Sequence, residues 1–140
     1  MIQKNIPALC FAGSVSIFVF LAWGSPGWHD TSEFAAIGRL FSISHSPGHP
    51  LYTLLSGGVS VFLPFADVGF RAAFSSGIFT AFACLFVSAI VLEDSDYSPF
   101  HLFWLAGVFL SAPVIFQTAR SEVYTLQAAM WAVCGWCLQR

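Results

Sequence analysis

Charge is what this chain of 140 residues lacks most: Asp, Glu, Lys and Arg make up 9% of it, against about 25% in an average soluble domain. Hydrophobic residues supply 57% and the mean hydropathy is +0.77, so the composition is that of an integral membrane protein. No basic tract is present, and the formal net charge is −2; nucleic-acid binding, which needs an electrostatic footprint, is excluded. Repeats, low-complexity stretches and flexible linkers are missing too, which leaves one membrane domain over 1–140. Cysteine is scarce, and Cys10, Cys84, Cys134 and Cys137 all fall in apolar segments, where a thiol behaves as a small hydrophobe. Cys134-Gly-Trp-Cys137 has the spacing of a redox or zinc pair but no second pair to complete a site. No apolar segment carries an ionisable residue near its middle, which argues against a transporter.

What is there is a series of apolar runs. A helix needs roughly 20 apolar residues to span the hydrocarbon layer, about 17 at the least. Ile6–Trp23, Ala72–Leu92 and Tyr97–Ala119 qualify, each free of Asp, Glu, Lys and Arg. Leu51–Phe65 is shorter, holds Gly57-Gly58 and ends near Pro64; it fits either a short tilted span or a partly inserted helix. Val123–Leu138 is a further apolar run. The first segment follows Lys4, and Ala22-Trp23-Gly24 loosely fits a signal-peptide cleavage site, but the run exceeds the usual ~7–15 residues and reads as an uncleaved anchor. The expectation is an all-α, polytopic membrane helix bundle of about five apolar helices in the inner or plasma membrane, with the lipid bilayer as partner. Lys4 and Arg71 favour the cytoplasmic side, which turns the polar loop after the first span outward. Strict alternation then returns Arg120 and Glu122 to the cytoplasmic side; without a crossing by Leu51–Phe65, both change sides.

That polar loop, GWHDTSEFAAIGRLFSISHSPGHPLY, holds three of the four histidines. From Thr31 to Ile43, the positions Phe34, Ile37, Gly38, Leu40 and Phe41 follow a helical period, so a short amphipathic helix should lie along the membrane surface. Asp30 and Glu33 at its start have the spacing of a capping box. The same carboxylates, close to headgroups and partly shielded from water, also suit a general base that takes a proton from a hydroxyl. The segment HSPGHP cannot be helical, because Pro47 and Pro50 restrict the residues before them. A zinc site from His29, Asp30, His45 and His49 finds no support in ligand spacing, and no metal residue is assigned. Arg71, Arg120 and Glu122 stand at span ends, the usual place of interfacial anchors. Ser98-Pro99 and His49-Pro50 should each open a helix.

Four pieces in order carry a resemblance: Asp30-x-x-Glu33-Phe34, His45-x-Pro47-Gly48-x-Pro50-Leu51-Tyr52, Arg71-x-x-Phe74-Ser75 and Glu122-Val123-Tyr124-x-Leu126. Together they resemble the N-terminal portion of the domain of unknown function 2723 family, which is similar to the protein O-mannosyltransferase branch of the GT-C glycosyltransferases. The resemblance implies many transmembrane helices and transfer of a sugar from a polyprenyl-phosphate donor to an acceptor hydroxyl outside the cytoplasm. It makes Asp30 the general base, with Glu33 supporting it or helping to hold a divalent cation. His45, Pro47, Gly48, His49 and Tyr52 would shape the donor site, Arg39 or the histidines would face its phosphate, and Glu122 and Tyr124 would be secondary contacts. Ser46, His49 and Ala73 depart from the family's common Pro, aromatic and Asn. Family members continue through further spans, so the expected module is incomplete alone, with a downstream chain as partner. The competing reading is a non-catalytic membrane scaffold or subunit in which Asp30 and Glu33 only cap a helix.

Overall fold

The computed structural model describes residues 5–22, 30–40, 42, 49–64, 66–93 and 98–140, without the side chains of 30, 38, 39 and 93. Seven helices and no strand occur among these residues: α1 (Ile6–Leu21), α2 (Asp30–Leu40), α3 (Pro50–Phe62), α4 (Val68–Glu93), α5 (Pro99–Phe109), α6 (Ala112–Thr118) and α7 (Val123–Gln139). Prolines punctuate the chain as expected. Pro50 opens α3 and Pro99 opens α5, where a missing amide hydrogen costs nothing. Ser98 caps α5 by accepting from the Phe100 amide at 3.3 Å, while the His101 ring accepts from the Ser98 amide at 3.3 Å.

α4, 26 residues long, is the axis. It is the one helix among the described residues that is long and apolar enough to cross a membrane by itself. α1 runs against it in the opposite direction: Phe11 meets Phe82 at 5.1 Å between ring centres, and the Phe18 Cβ packs over Gly77. α3 is also antiparallel to α4, with Tyr52 at the level of Ser76 and Ser60 at that of Arg71. α7 runs parallel to it, from Ser76 beside Glu122, through a Phe86–Trp136 ring contact at 5.4 Å, to Ile90 beside Gln139. The core is shared by four helices: Phe34 and Ile37 of α2, Tyr52 of α3, Phe79 and Ala83 of α4, Leu126, Ala129 and Ala132 of α7.

The apolar run Tyr97–Ala119, expected as one span, is broken. α5 and α6 meet at 57°, and only as a bent pair do they reach the length of a span. Pro113 is the physical cause, since it has no amide to give the Phe109 carbonyl four residues back and its ring crowds that group. The chain turns at Leu110–Ser111, where the Leu110 amide still reaches Ala106 O at 2.8 Å, and restarts as α6.

Arg71 closes the α3–α4 turn. Its Nε donates to Ala66 O at 2.7 Å, its second terminal nitrogen to Pro64 O at 2.7 Å, and the other reaches Ser60 O at 3.4 Å. These carbonyls follow or end α3 and have no helical donor left to them, so the planar guanidinium acts as a C-terminal cap.

Candidate functional site

The helix directions bring the start of α2, the start of α3 and the start of α7 to one place. Thr31, the second residue of α2, is buried and donates from Oγ1 to Glu122 Oε1 at 3.2 Å. His49, immediately before α3, and Glu122, immediately before α7, line a common cleft of about 340 Å³ together with Pro50, Tyr124, Gln127 and Met130. Its floor is apolar and its rim carries one carboxylate, one imidazole, one phenol and one carboxamide.

His49 has φ 37° and ψ 51°, the positive-φ residue other than glycine among the described residues. Such a conformation is uncommon outside glycine and is enriched in Asn, Asp and His. It is held from two sides. The His49 carbonyl accepts from the Thr53 amide at 3.1 Å and from Thr53 Oγ1 at 3.2 Å, and the ring meets Phe34 edge-on at 5.7 Å. The imidazole thus fills the position where the resemblance expected an aromatic ring, and does an aromatic's packing.

Glu122 is fixed through its backbone as well. Extended at φ −138°, it precedes α7, and its amide donates to Ser76 Oγ at 3.0 Å. Its carbonyl accepts from Thr125 Oγ1 at 2.8 Å. Behind it, the Tyr52 hydroxyl lies 2.8 Å from Ser121 Oγ and 3.2 Å from Ser76 Oγ. Tyr52 is 1% exposed, so it offers no surface to the cleft; Phe34 and Phe79 sit edge-on to its ring at 5.1 and 5.9 Å.

Of the sequence-expected residues, His49, Glu122 and Tyr124 share the cleft, and Tyr52 lies directly behind it. Asp30 opens α2 as its first helical residue, one position from Thr31, and Glu33 is half-buried on the same first turn. The side chains of Asp30 and Arg39, and with them the expected capping box, are outside the described residues, as are His45, Pro47 and Gly48 entirely. Arg120 stacks its guanidinium on Phe116 at 3.6 Å. Among the described residues, no three His, Cys, Asp or Glu side chains come together to hold a metal.

Ser76, Ser121 and Thr31 were not singled out by spacing. One signal did exist: Ser76 and Thr80, four apart on apolar α4, face Glu122 and Thr118 respectively, the latter through a 2.9 Å hydroxyl contact. Small hydroxyl residues on one stripe of an apolar helix mark the face that bonds its neighbours.

Residues 30–96, which begin at α2 and take in α3 and α4, decide the likeness. They match the Protein O-mannosyl-transferase TMEM260 N-terminal domain. The chain is also 29% identical, over 119 residues and 83% of its length, to Protein O-mannosyl-transferase TMEM260 of Mus musculus, and it spans 16% of that protein's length. No solved structure matches it. The chain is therefore O-mannosyl-transferase-like in the manner of that domain, as its motifs imply.

Proposed function

We propose that this chain forms the N-terminal part of a membrane-embedded, O-mannosyl-transferase-like module that moves a sugar from a polyprenyl-phosphate donor to an acceptor hydroxyl on the non-cytoplasmic face. The observation that carries the reading is the bond from Thr31, next to Asp30, to Glu122, 91 positions away, at the edge of an open cleft. In this reading α1, α4, the bent α5–α6 pair and α7 cross the bilayer, while α2 and α3 lie against the outer part of α4. The common location of Glu122, Thr31 and His49 supports the alternative in which Leu51–Phe65 does not cross.

In the reaction, Asp30 accepts the proton of the acceptor hydroxyl as that oxygen attacks the anomeric carbon, and the polyprenyl phosphate departs with the bonding pair. The first turn of α2 is the positive end of that helix's dipole, which favours a carboxylate at this point. A positioned base contributes about 10²–10⁴-fold in rate. Glu33 supports Asp30, Glu122 and Tyr124 orient the acceptor, and Arg39, His45, Pro47, Gly48 and His49 shape the donor's headgroup site. An apolar groove of about 460 Å³ shares Leu126 and Met130 with the cleft, a form that suits a substrate with a polar head and an apolar chain.

The test is transfer from labelled polyprenyl-phosphate mannose by membranes of the native host containing this chain. Asp30→Asn is expected to lower transfer by about a hundredfold or more. Asp30→Ser, which keeps a good cap, is expected to fail as well; full transfer by the Ser variant points to a cap and a scaffold. Equal transfer by wild type and Asp30→Asn removes Asp30 from the mechanism.

A further inference from the structure

We propose that Tyr52 and Ser76 are positioning residues, which act on the reaction by holding the Glu122 carboxylate at the edge of the cleft; the proposal rests on the cleft being the site of transfer. Tyr52 looks in the sequence like a substrate contact, because it closes the His-Pro-Gly-Pro motif. In the structure it is 1% exposed and presents no surface to the cleft. Its hydroxyl is instead directed at the segment that carries Glu122.

The three hydroxyls and the Glu122 backbone form one connected set. Each hydroxyl has one proton to give and two lone pairs to receive. One assignment runs in a single direction: the Glu122 amide donates to Ser76 Oγ at 3.0 Å, Ser76 donates to the Tyr52 oxygen at 3.2 Å, and Tyr52 donates to Ser121 Oγ at 2.8 Å, with the Glu122 carbonyl at 3.4 Å as a second, longer acceptor for the Ser76 proton. Ser76 and Ser121 are 0% and 1% exposed, so no water replaces a missing member cheaply. Three segments far apart in sequence are joined through this chain: α3 by Tyr52, α4 by Ser76, and the approach to α7 by Ser121 and Glu122. Thr31 of α2 then holds the carboxylate itself at 3.2 Å. Backbone and side chain of one residue are thereby fixed from three helices, an expensive arrangement for an ordinary helix start, which needs a single cap.

A misplacement of about 1 Å at a reacting group lowers a rate by about a hundredfold. Tyr52→Phe keeps the ring and its packing on Phe34 and Phe79 while removing the hydroxyl. We expect it to lower kcat about ten- to a hundredfold with little change in KM, and Ser76→Ala to do the same. Since both act through Glu122, neither should lower transfer further in a Glu122→Gln background, whereas independent structural losses multiply. Amide exchange provides a second readout that needs no activity. In detergent-solubilised full-length chain, Ser76→Ala and Tyr52→Phe should speed exchange in the peptide covering 119–125 by about fivefold or more, with peptides from α1 and α5 unchanged.

Faster exchange confined to 119–125 together with non-additivity bears the proposal out. Unchanged exchange there, or an undiminished Tyr52→Phe effect in Glu122→Gln, overturns it. If the wild type transfers no label, the reading of the cleft as a reaction site falls, and the exchange experiment alone decides whether Tyr52 and Ser76 position Glu122.

Discussion

Arg71 belongs to a motif that invites a chemical role, yet every contact of its guanidinium is to the backbone of the α3–α4 turn, and this makes a quantitative prediction. Two contacts are short, to Ala66 O and Pro64 O at 2.7 Å each; the third, to Ser60 O at 3.4 Å, is long enough to neglect. A hydrogen bond from a charged donor contributes about 1.5–3 kcal/mol. Pro64 is exposed and Arg71 half-buried, so water takes over part of what the guanidinium leaves and the lower figure applies. Arg71→Met should therefore cost about 3 kcal/mol of unfolding free energy. An ammonium cannot fork across both carbonyls, so Arg71→Lys should recover about half of that loss. Equilibrium denaturation in mild detergent, followed by tryptophan fluorescence, measures both. If Arg71→Met unfolds with the wild type, or if Lys restores stability fully, the guanidinium is not what holds the turn.

Four further outcomes follow from the packing. Gly58 has nothing within 4 Å of where a Cβ would stand, so Gly58→Ala in the middle of α3 should stabilise by about 0.5–1 kcal/mol; at Gly77 a Cβ would already meet the Phe18 Cβ at 3.1 Å, and Gly77→Leu should destabilise by about 1–3 kcal/mol, both in the same denaturation experiment. Thr80→Val should cost about 1 kcal/mol, and adding Thr118→Val should cost less than the sum of the two, because their 2.9 Å contact is lost only once. Pro113→Ala restores the amide that Phe109 O lacks, so the 57° bend between α5 and α6 should open toward a straight helix, read as a lengthened distance between spin labels at 100 and 117.

The parts of the fold that were legible are those governed by local chemistry. The long uncharged run around Ala72–Leu92 became α4, the period of Phe34 and Ile37 became the buried face of α2, and Ser98-Pro99 and His49-Pro50 became helix starts. The break at Pro113 was also local, but counting charges over Tyr97–Ala119 passes over a residue that has none. The site was legible only as separate motifs. Nothing periodic links Thr31 to Glu122, or Tyr52 to Ser121; these contacts arise because α7 turns parallel to α4 while α3 runs against it, and that depends on tertiary packing. Tyr52 meets the same limit. An aromatic residue with a hydroxyl looks the same in sequence whether it faces a ligand or a buried serine.

Glu122 hangs from Ser76, and Ser76 stands eight residues, about 12 Å, along α4 from Val68. α4 is about 39 Å long against a hydrocarbon thickness of about 30 Å. For an α4 that crosses upright, even if all of the surplus projected at its Val68 end, Ser76 would sit about 3 Å below the hydrocarbon boundary. Under the proposed function, bilayer thickness would then control access: lipids with short acyl chains would lift this carboxylate toward water, long ones would submerge it, and reconstitution across a series of chain lengths would tune how readily a dissolved hydroxyl compound arrives.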